Sequence, residues 1–138
     1  DENLDQFYQI LSSKVTLKKN PRIISEMEAD VWLIGTPIYN SFFSSSLKNL
    51  FEYVNYKKTE GKVAGITIVA SGNIGFIDVQ TLITQLLSYF RIITNPKAVF
   101  ITTDMISENG LDIDAQKRLR EMVDYTLEIT SKLLKSNE

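Results

Sequence analysis

The chain has 138 residues, 43% of them apolar and 23% charged, with a net charge of −2, the size and balance of one globular domain that buries its own core. No basic block exceeds a lysine pair (Lys18-Lys19, Lys57-Lys58), which argues against nucleic acid as the partner, and no apolar run is long enough to span a bilayer. Histidine and cysteine are both absent, which excludes Ser-His-Asp hydrolysis, Cys-His proteolysis and a zinc enzyme, and leaves a cofactor as the expected carrier of any chemistry.

Residues 1–19 admit two readings. Leu4, Phe7, Tyr8 and Leu11 have helical spacing with Val15-Thr16-Leu17 as a strand, or the whole stretch is an ordered connection; the near absence of a loop at Lys18-Lys19-Asn20 favours the connection. Asn20-Pro21 is a helix start, with Asn as cap and Pro in the first turn, followed by the apolar stripe Ile23, Ile24 and Met27. Val31 to Ile34 reads as a strand buried on both faces, ending in the loop Gly35-Thr36-Pro37-Ile38-Tyr39-Asn40-Ser41. Serines 44–46 cap a helix carrying Leu47, Leu50, Phe51 and Val54, which Glu60-Gly61 breaks. Val63 to Ala70 is the next strand, and Ser71-Gly72-Asn73-Ile74-Gly75 the loop after it.

The span Asp78–Phe90 has the cleanest helical period, in Val79, Leu82, Ile83, Leu86, Leu87 and Phe90. Asn95-Pro96 turns the chain into a third strand, Ala98–Thr102, and a polar stretch from Asp104 to Asp112 leads to a closing helix with Ala115, Leu119, Met122, Val123, Leu127, Ile129 and Leu133 on one side. The order αβαβαβα, with strands apolar throughout and not alternating, predicts a parallel sheet covered by helices on both faces. A single domain over 1–138 is expected.

In open sheets of this kind ligands sit outside the carboxyl ends of the strands. The loops at 35–41 and 71–75 follow successive strands, and their composition suits a flavin. Pro37 stiffens the turn, Tyr39 offers a wall for a flat ring, and Asn40 an amide to lock the loop. Gly72 and Gly75 permit backbone N–H groups to approach closely. Each loop alone is ordinary turn chemistry; the pair is what suggests a site.

The motif Thr36-Pro37-Ile38-Tyr39-Asn40 with Leu47-Lys48-Asn49 resembles the "TPEYN…LKN" signature of the NADPH-dependent FMN reductases. Gly61-Lys62-Val63 and Ser71-Gly72…Gly75 match that family's "GKPV" and "SGG..GG" segments in position. The resemblance runs from about Asn20 to Ile101 and implies a flavodoxin-like three-layer α/β/α fold that binds FMN and passes hydride to it from NAD(P)H. It implies that Thr36, Pro37, Ile38, Tyr39 and Asn40 line the flavin and hold its loop, and that Ser71, Gly72, Asn73 and Gly75 meet the polar edge of the ring. No side chain is expected to act as acid or base, and no metal is expected. Ile38 stands where most of the family has Glu, as in its sulfonate-type flavin reductases, and Asn73-Ile74 replaces part of the glycine run. The family's first strand and "GS.R..S" phosphate loop have no counterpart here. The expectation is therefore an N-terminally incomplete domain, part of a longer polypeptide, in which Val31–Ile34 is left as an edge and the chain alone binds FMN poorly.

The same resemblance implies a homodimer, for which Phe42, Phe43 and the helix with Phe51, Tyr53 and Tyr56 supply an aromatic face. A cytoplasmic location fits the lack of cysteine. Asp104, Glu108, Asp112 and Asp114 do not have the spacing of a calcium loop and read as a solvated connection with a helix cap. Arg91 reads as a cation at a helix C-terminus in preference to a phosphate ligand, and Trp32 as core. The alternative to a flavin enzyme is a flavodoxin-like binding module without redox turnover.

Overall fold

The structure, a computed structural model, describes residues 28–136. The helix expected from Asn20 and the two readings of residues 1–19 lie outside that range. The first described strand, β1 (Val31–Tyr39), runs parallel to β3 (Val63–Ala70) from Val31↔Val63 to Pro37↔Val69. The short β2 (Phe42–Phe43) folds back on the end of β1 as an antiparallel hairpin. On the other side of β3 lie β4 (Ile93–Thr94), pairing its start, and β5 (Val99–Thr102), pairing its end, both parallel. Three helices complete the fold: α1 (Ser45–Phe51), α2 (Phe76–Tyr89) and α3 (Ile113–Lys135).

Strand periodicity explains the layers. Along β3, Ala64, Ile66 and Ile68 join Ile34 of β1 in a core with Phe51 of α1 and Phe76, Val79, Ile83 and Leu87 of α2. The intervening positions look the other way, where Val69 joins Val99 and Ile101 of β5 in a second core with Leu119, Met122 and Val123 of α3. Both faces of β3 are covered, and Val63, Ala64, Ile66 and Ile68 are fully buried. A strand buried on both sides cannot alternate with polar residues, which is why its sequence is apolar throughout. The α/β fold with a parallel sheet between helix layers is the one expected.

α3 lies close on the sheet at Gly65. A Cβ built there would meet Met122 Sδ at 2.3 Å and Thr126 Oγ1 at 2.9 Å, so only a residue without a side chain lets the helix settle at this depth. Trp32 is half-buried and packs against the first core, its ring 6.0 Å from that of Phe51.

Several expected boundaries move. The segment 35–39 is not a loop: β1 continues through it because β3 continues beside it, and Pro37 sits in a strand. α2 starts at Phe76 instead of Asp78, with Gly75 as its N-cap. The third strand is interrupted. Between the pairs Ala64↔Thr94 and Thr67↔Val99, β3 advances three residues while the partner advances five, so two extra residues bulge out around Asn95-Pro96. Asn95 is fully buried and replaces the lost ladder bonds. Its backbone N–H donates to Ala64 O, its Nδ2 to Met122 O and Thr126 Oγ1, and its Oδ1 accepts from Lys97 N. The polar stretch after β5 holds a small hairpin, β6 (Ile106–Ser107) with β7 (Gly110–Leu111). Among the described residues the outer side of β1 is paired only by β2, at Ile38 and Tyr39.

Candidate functional site

The site is built at the carboxyl ends of β1 and β3. β1 ends in a two-residue turn, Asn40-Ser41, with φ of 49° and 64°. Two successive positive φ values are the signature of the tight hairpin turn whose twist suits flanking strands. Asn tolerates that region better than most residues, which suits Asn40 to the turn that reverses the chain. The reversal pairs Tyr39 with Phe42 and Ile38 with Phe43.

Tyr39 stands 62% exposed at the hairpin's end, and its neighbour Ile38 turns inward against the core. The adjacent aromatics split, as two consecutive strand residues must: Phe43 is buried and Phe42 is exposed. Thr36 is only 2% exposed, buried at the base of the hairpin. Its hydroxyl oxygen accepts from Ser44 N at 3.0 Å and its O–H donates to Pro37 O at 3.0 Å. Ser44 then caps α1, its Oγ accepting from Leu47 N. Thr36 and Pro37 thus support the hairpin, while Tyr39 and Asn40 present it.

The second loop, after β3, exposes Ser71, Gly72 and Asn73, with Ile74 91% exposed. Gly75 closes it at φ 87° and begins α2 without a side-chain cap. The first intrahelical bond recorded there is Val79 N to Gly75 O, which leaves the backbone N–H groups of Phe76, Ile77 and Asp78 without helical acceptors. The end of β1 lies near the second loop: a Cβ built on Gly75 would fall 3.7 Å from Ile38 Cδ1. The structure therefore gathers the nine expected residues at one end of the sheet, in three roles. Thr36, Pro37 and Ile38 support from below; Tyr39 and Asn40 form one rim; Ser71, Gly72, Asn73 and Gly75 form the other.

On the α1 side of the hairpin lies a cavity of ≈ 600 Å³ lined by Tyr39, Asn40, Phe42, Lys48, Asn49 and Glu52, among others. The second loop does not line it. Lys48 and Glu52 form an exposed ion pair one helical turn apart, a pair of the kind that contributes little and re-partners readily. The sequence signal for this wall was the Leu47-Lys48-Asn49 segment, whose helical spacing sets Lys48 and Glu52 on one face.

Other residues fall away from the site. Arg91 pairs with Glu60 at 3.1 Å at the far end of α2, where its own φ is 57°. Asp112 caps α3, accepting from Ala115 N at 2.7 Å, and Asp114 pairs with Arg118 at 3.1 Å. No group of three or more acidic residues is placed to hold a metal ion among the described residues. Nor is any described helix long and apolar enough to cross a membrane.

The chain and its fold have relatives among known proteins. The model of the NADPH-dependent FMN reductase family matches residues 22–105. An NAD(P)H-dependent FAD/FMN reductase of Geobacillus thermodenitrificans is 28% identical over 92 residues, covering 67% of this chain and 50% of that protein. The chain thus spans about half the length of this relative. A 32-residue stretch is 81% identical to part of a DNA ligase of Nitrosopumilus maritimus, but it covers 23% of this chain and only 5% of the ligase, too little to carry a ligase domain. Among solved structures, an oxidoreductase of Corynebacterium diphtheriae superimposes with a TM-score of 0.68 at 15% identity, covering 97% of this chain and 72% of that one. An NADH:FMN oxidoreductase in its apo form gives 0.66 at 16% identity, covering 78% and 59%.

Proposed function

The chain belongs to the NADPH-dependent FMN reductase family, and from that premise we propose that it forms the flavin-ring half of an FMN-dependent NAD(P)H oxidoreductase. The observation that carries this reading is the meeting of two ligand-type loops, Tyr39-Asn40 and Ser71–Gly75, at the carboxyl ends of neighbouring parallel strands. The residues fit the ring. An exposed tyrosine gives a flat wall. An uncapped helix start and a glycine-bearing loop give backbone N–H groups for its electron-rich edge. When bound, the flavin supplies the centre that accepts hydride from NAD(P)H and passes reducing equivalents to an acceptor such as a flavin or quinone.

The protein's own contribution is position. Tyr39 and Asn40 orient the ring from one side, and the 71–75 loop meets its polar edge with backbone donors. The backbone donors of the 71–75 loop, already in place, would favour negative charge at that edge without reorganisation. With neither His nor Cys in the chain, no side chain here is assigned a proton-transfer step.

The reading includes a homodimer, with a correction to its face. Phe51 is buried in the first core and Tyr53 lies beyond the end of α1, because the apolar stripe of α1 is consumed by packing on the sheet. The aromatics left for a partner are Tyr39, Phe42 and Tyr56. The reading further takes the protein to be cytoplasmic and to use small-molecule partners only.

Purified full-length protein should develop a bound-flavin visible spectrum with added FMN, oxidise NAD(P)H, and scatter light as a dimer. A protein that binds no flavin and leaves NAD(P)H unoxidised would leave the non-catalytic module as the remaining reading.

A further inference from the structure

We propose that Thr36 is not a flavin contact but a latch, a positioning residue whose buried hydroxyl sets the hairpin that carries Tyr39 and Asn40. The inference rests on the flavin reading for its functional consequence, but its geometric part stands without it. The hairpin is weakly held by its own means. Its ladder has only two residue pairs, Ile38↔Phe43 and Tyr39↔Phe42, and both Tyr39 and Phe42 are exposed. Its turn places Ser41 at φ 64°, where a tight hairpin turn prefers glycine. A short, exposed hairpin with a serine in the left-handed region needs support from elsewhere.

Thr36 supplies that support from below. The β1 backbone passes Thr36, runs out through Pro37–Tyr39, reverses, and returns at Ser44. There the Ser44 N–H donates to Thr36 Oγ1 across eight positions of sequence. The same hydroxyl donates to Pro37 O, so one oxygen ties the outgoing strand to the returning one. Ser44 in turn caps α1, which fixes the helix that walls the ≈ 600 Å³ cavity. Val matches the shape of Thr but lacks the hydroxyl. In Thr36→Val the Ser44 N–H and the Pro37 carbonyl would lose their partner at a buried site.

The test compares three variants. Thr36→Val removes the latch and Thr36→Ser keeps the hydroxyl. Thr59→Val is the control for stability alone: Thr59 is also buried, and its one hydroxyl proton is shared between two carbonyls, Phe90 O at 2.7 Å and Tyr56 O at 3.0 Å, away from either loop. In flavin-free protein, amide exchange at Ser44 and through residues 38–43 should quicken in Thr36→Val at least about tenfold, and stay near wild type in Thr36→Ser and Thr59→Val. FMN affinity, measured well below the melting temperature of every variant, should fall about tenfold or more in Thr36→Val and hold within about threefold in the other two. Should Thr36→Val not fold, Ser44→Pro serves instead, read at residues 38–43 against Ser44→Ala, which loses the same helix cap but keeps the N–H. Unchanged exchange in the hairpin overturns the latch, as does equal quickening in Thr59→Val. Quickened exchange with unchanged FMN affinity overturns its functional role. Failure of the wild-type protein to bind FMN sinks the flavin reading, and the exchange data still decide the latch.

Discussion

Gly75 is the residue on which the second loop turns. Its φ of 87° lies where side chains are disfavoured, while a Cβ there would meet only Ile38 Cδ1, at an ordinary 3.7 Å. The cost of Gly75→Ala is therefore conformational and not steric, about 1–2 kcal/mol, read as a lower midpoint in urea. Gly72 makes the contrast. It has no positive φ and no atom within 4 Å of a built Cβ, so Gly72→Ala should leave the urea midpoint unchanged. If flavin binding weakens in Gly72→Ala all the same, the side chain is obstructing the ligand. A stability loss in Gly72→Ala, or none in Gly75→Ala, would contradict this division. At this scale the sequence was legible where one residue's chemistry suffices. Asp112 as a helix cap follows from its side chain, whereas the splitting of Phe42 from Phe43 follows from a strand that only the structure shows. Thr36 was not legible as a latch, because its partner, Ser44, is brought to it only by a hairpin hidden inside a stretch that reads as a loop.

Among the elements, α2 and β3 were the easiest to see. Both present a continuous apolar pattern to cores on known sides, and β3 begins and ends where its sequence says. The misplaced boundaries share one cause: tertiary pairing overrode local signals. Gly35-Thr36-Pro37 reads as a turn, yet β3 runs alongside and holds it extended. Asn95-Pro96 reads as a turn between elements, yet it is a bulge within one strand position of the sheet, stabilised by a buried amide no local pattern announces. The seat of α3 gives the prediction here. Gly65→Ala places a methyl group against Met122 Sδ and Thr126 Oγ1. The Thr126 hydroxyl cannot retreat without disturbing its bond from Asn95, so the helix must lift. The expected loss is about 1–3 kcal/mol, measured by urea unfolding. A neutral Gly65→Ala would mean that α3 sits less closely than described.

For the molecule as a whole, apolar strands alternating with amphipathic helices were enough to give the parallel α/β sheet, and the paired loops its functional end. The family match and the structural neighbours agree with the fold. The sequence did not reveal the cavity beside α1, since a cavity is a property of how the hairpin and helix are set apart. The central claim is that the two loops at the carboxyl ends of β1 and β3 hold one flavin ring between them. Backbone amide chemical shifts of the isotope-labelled protein, recorded during titration with FMN, test it most directly. The account predicts that the amides of Tyr39, Asn40, Ser71, Gly72, Asn73 and Gly75 move together along one binding curve, while those of Arg91 and Lys97 stay still. Flavin binding that shifts other amides and leaves both loops unmoved would contradict it.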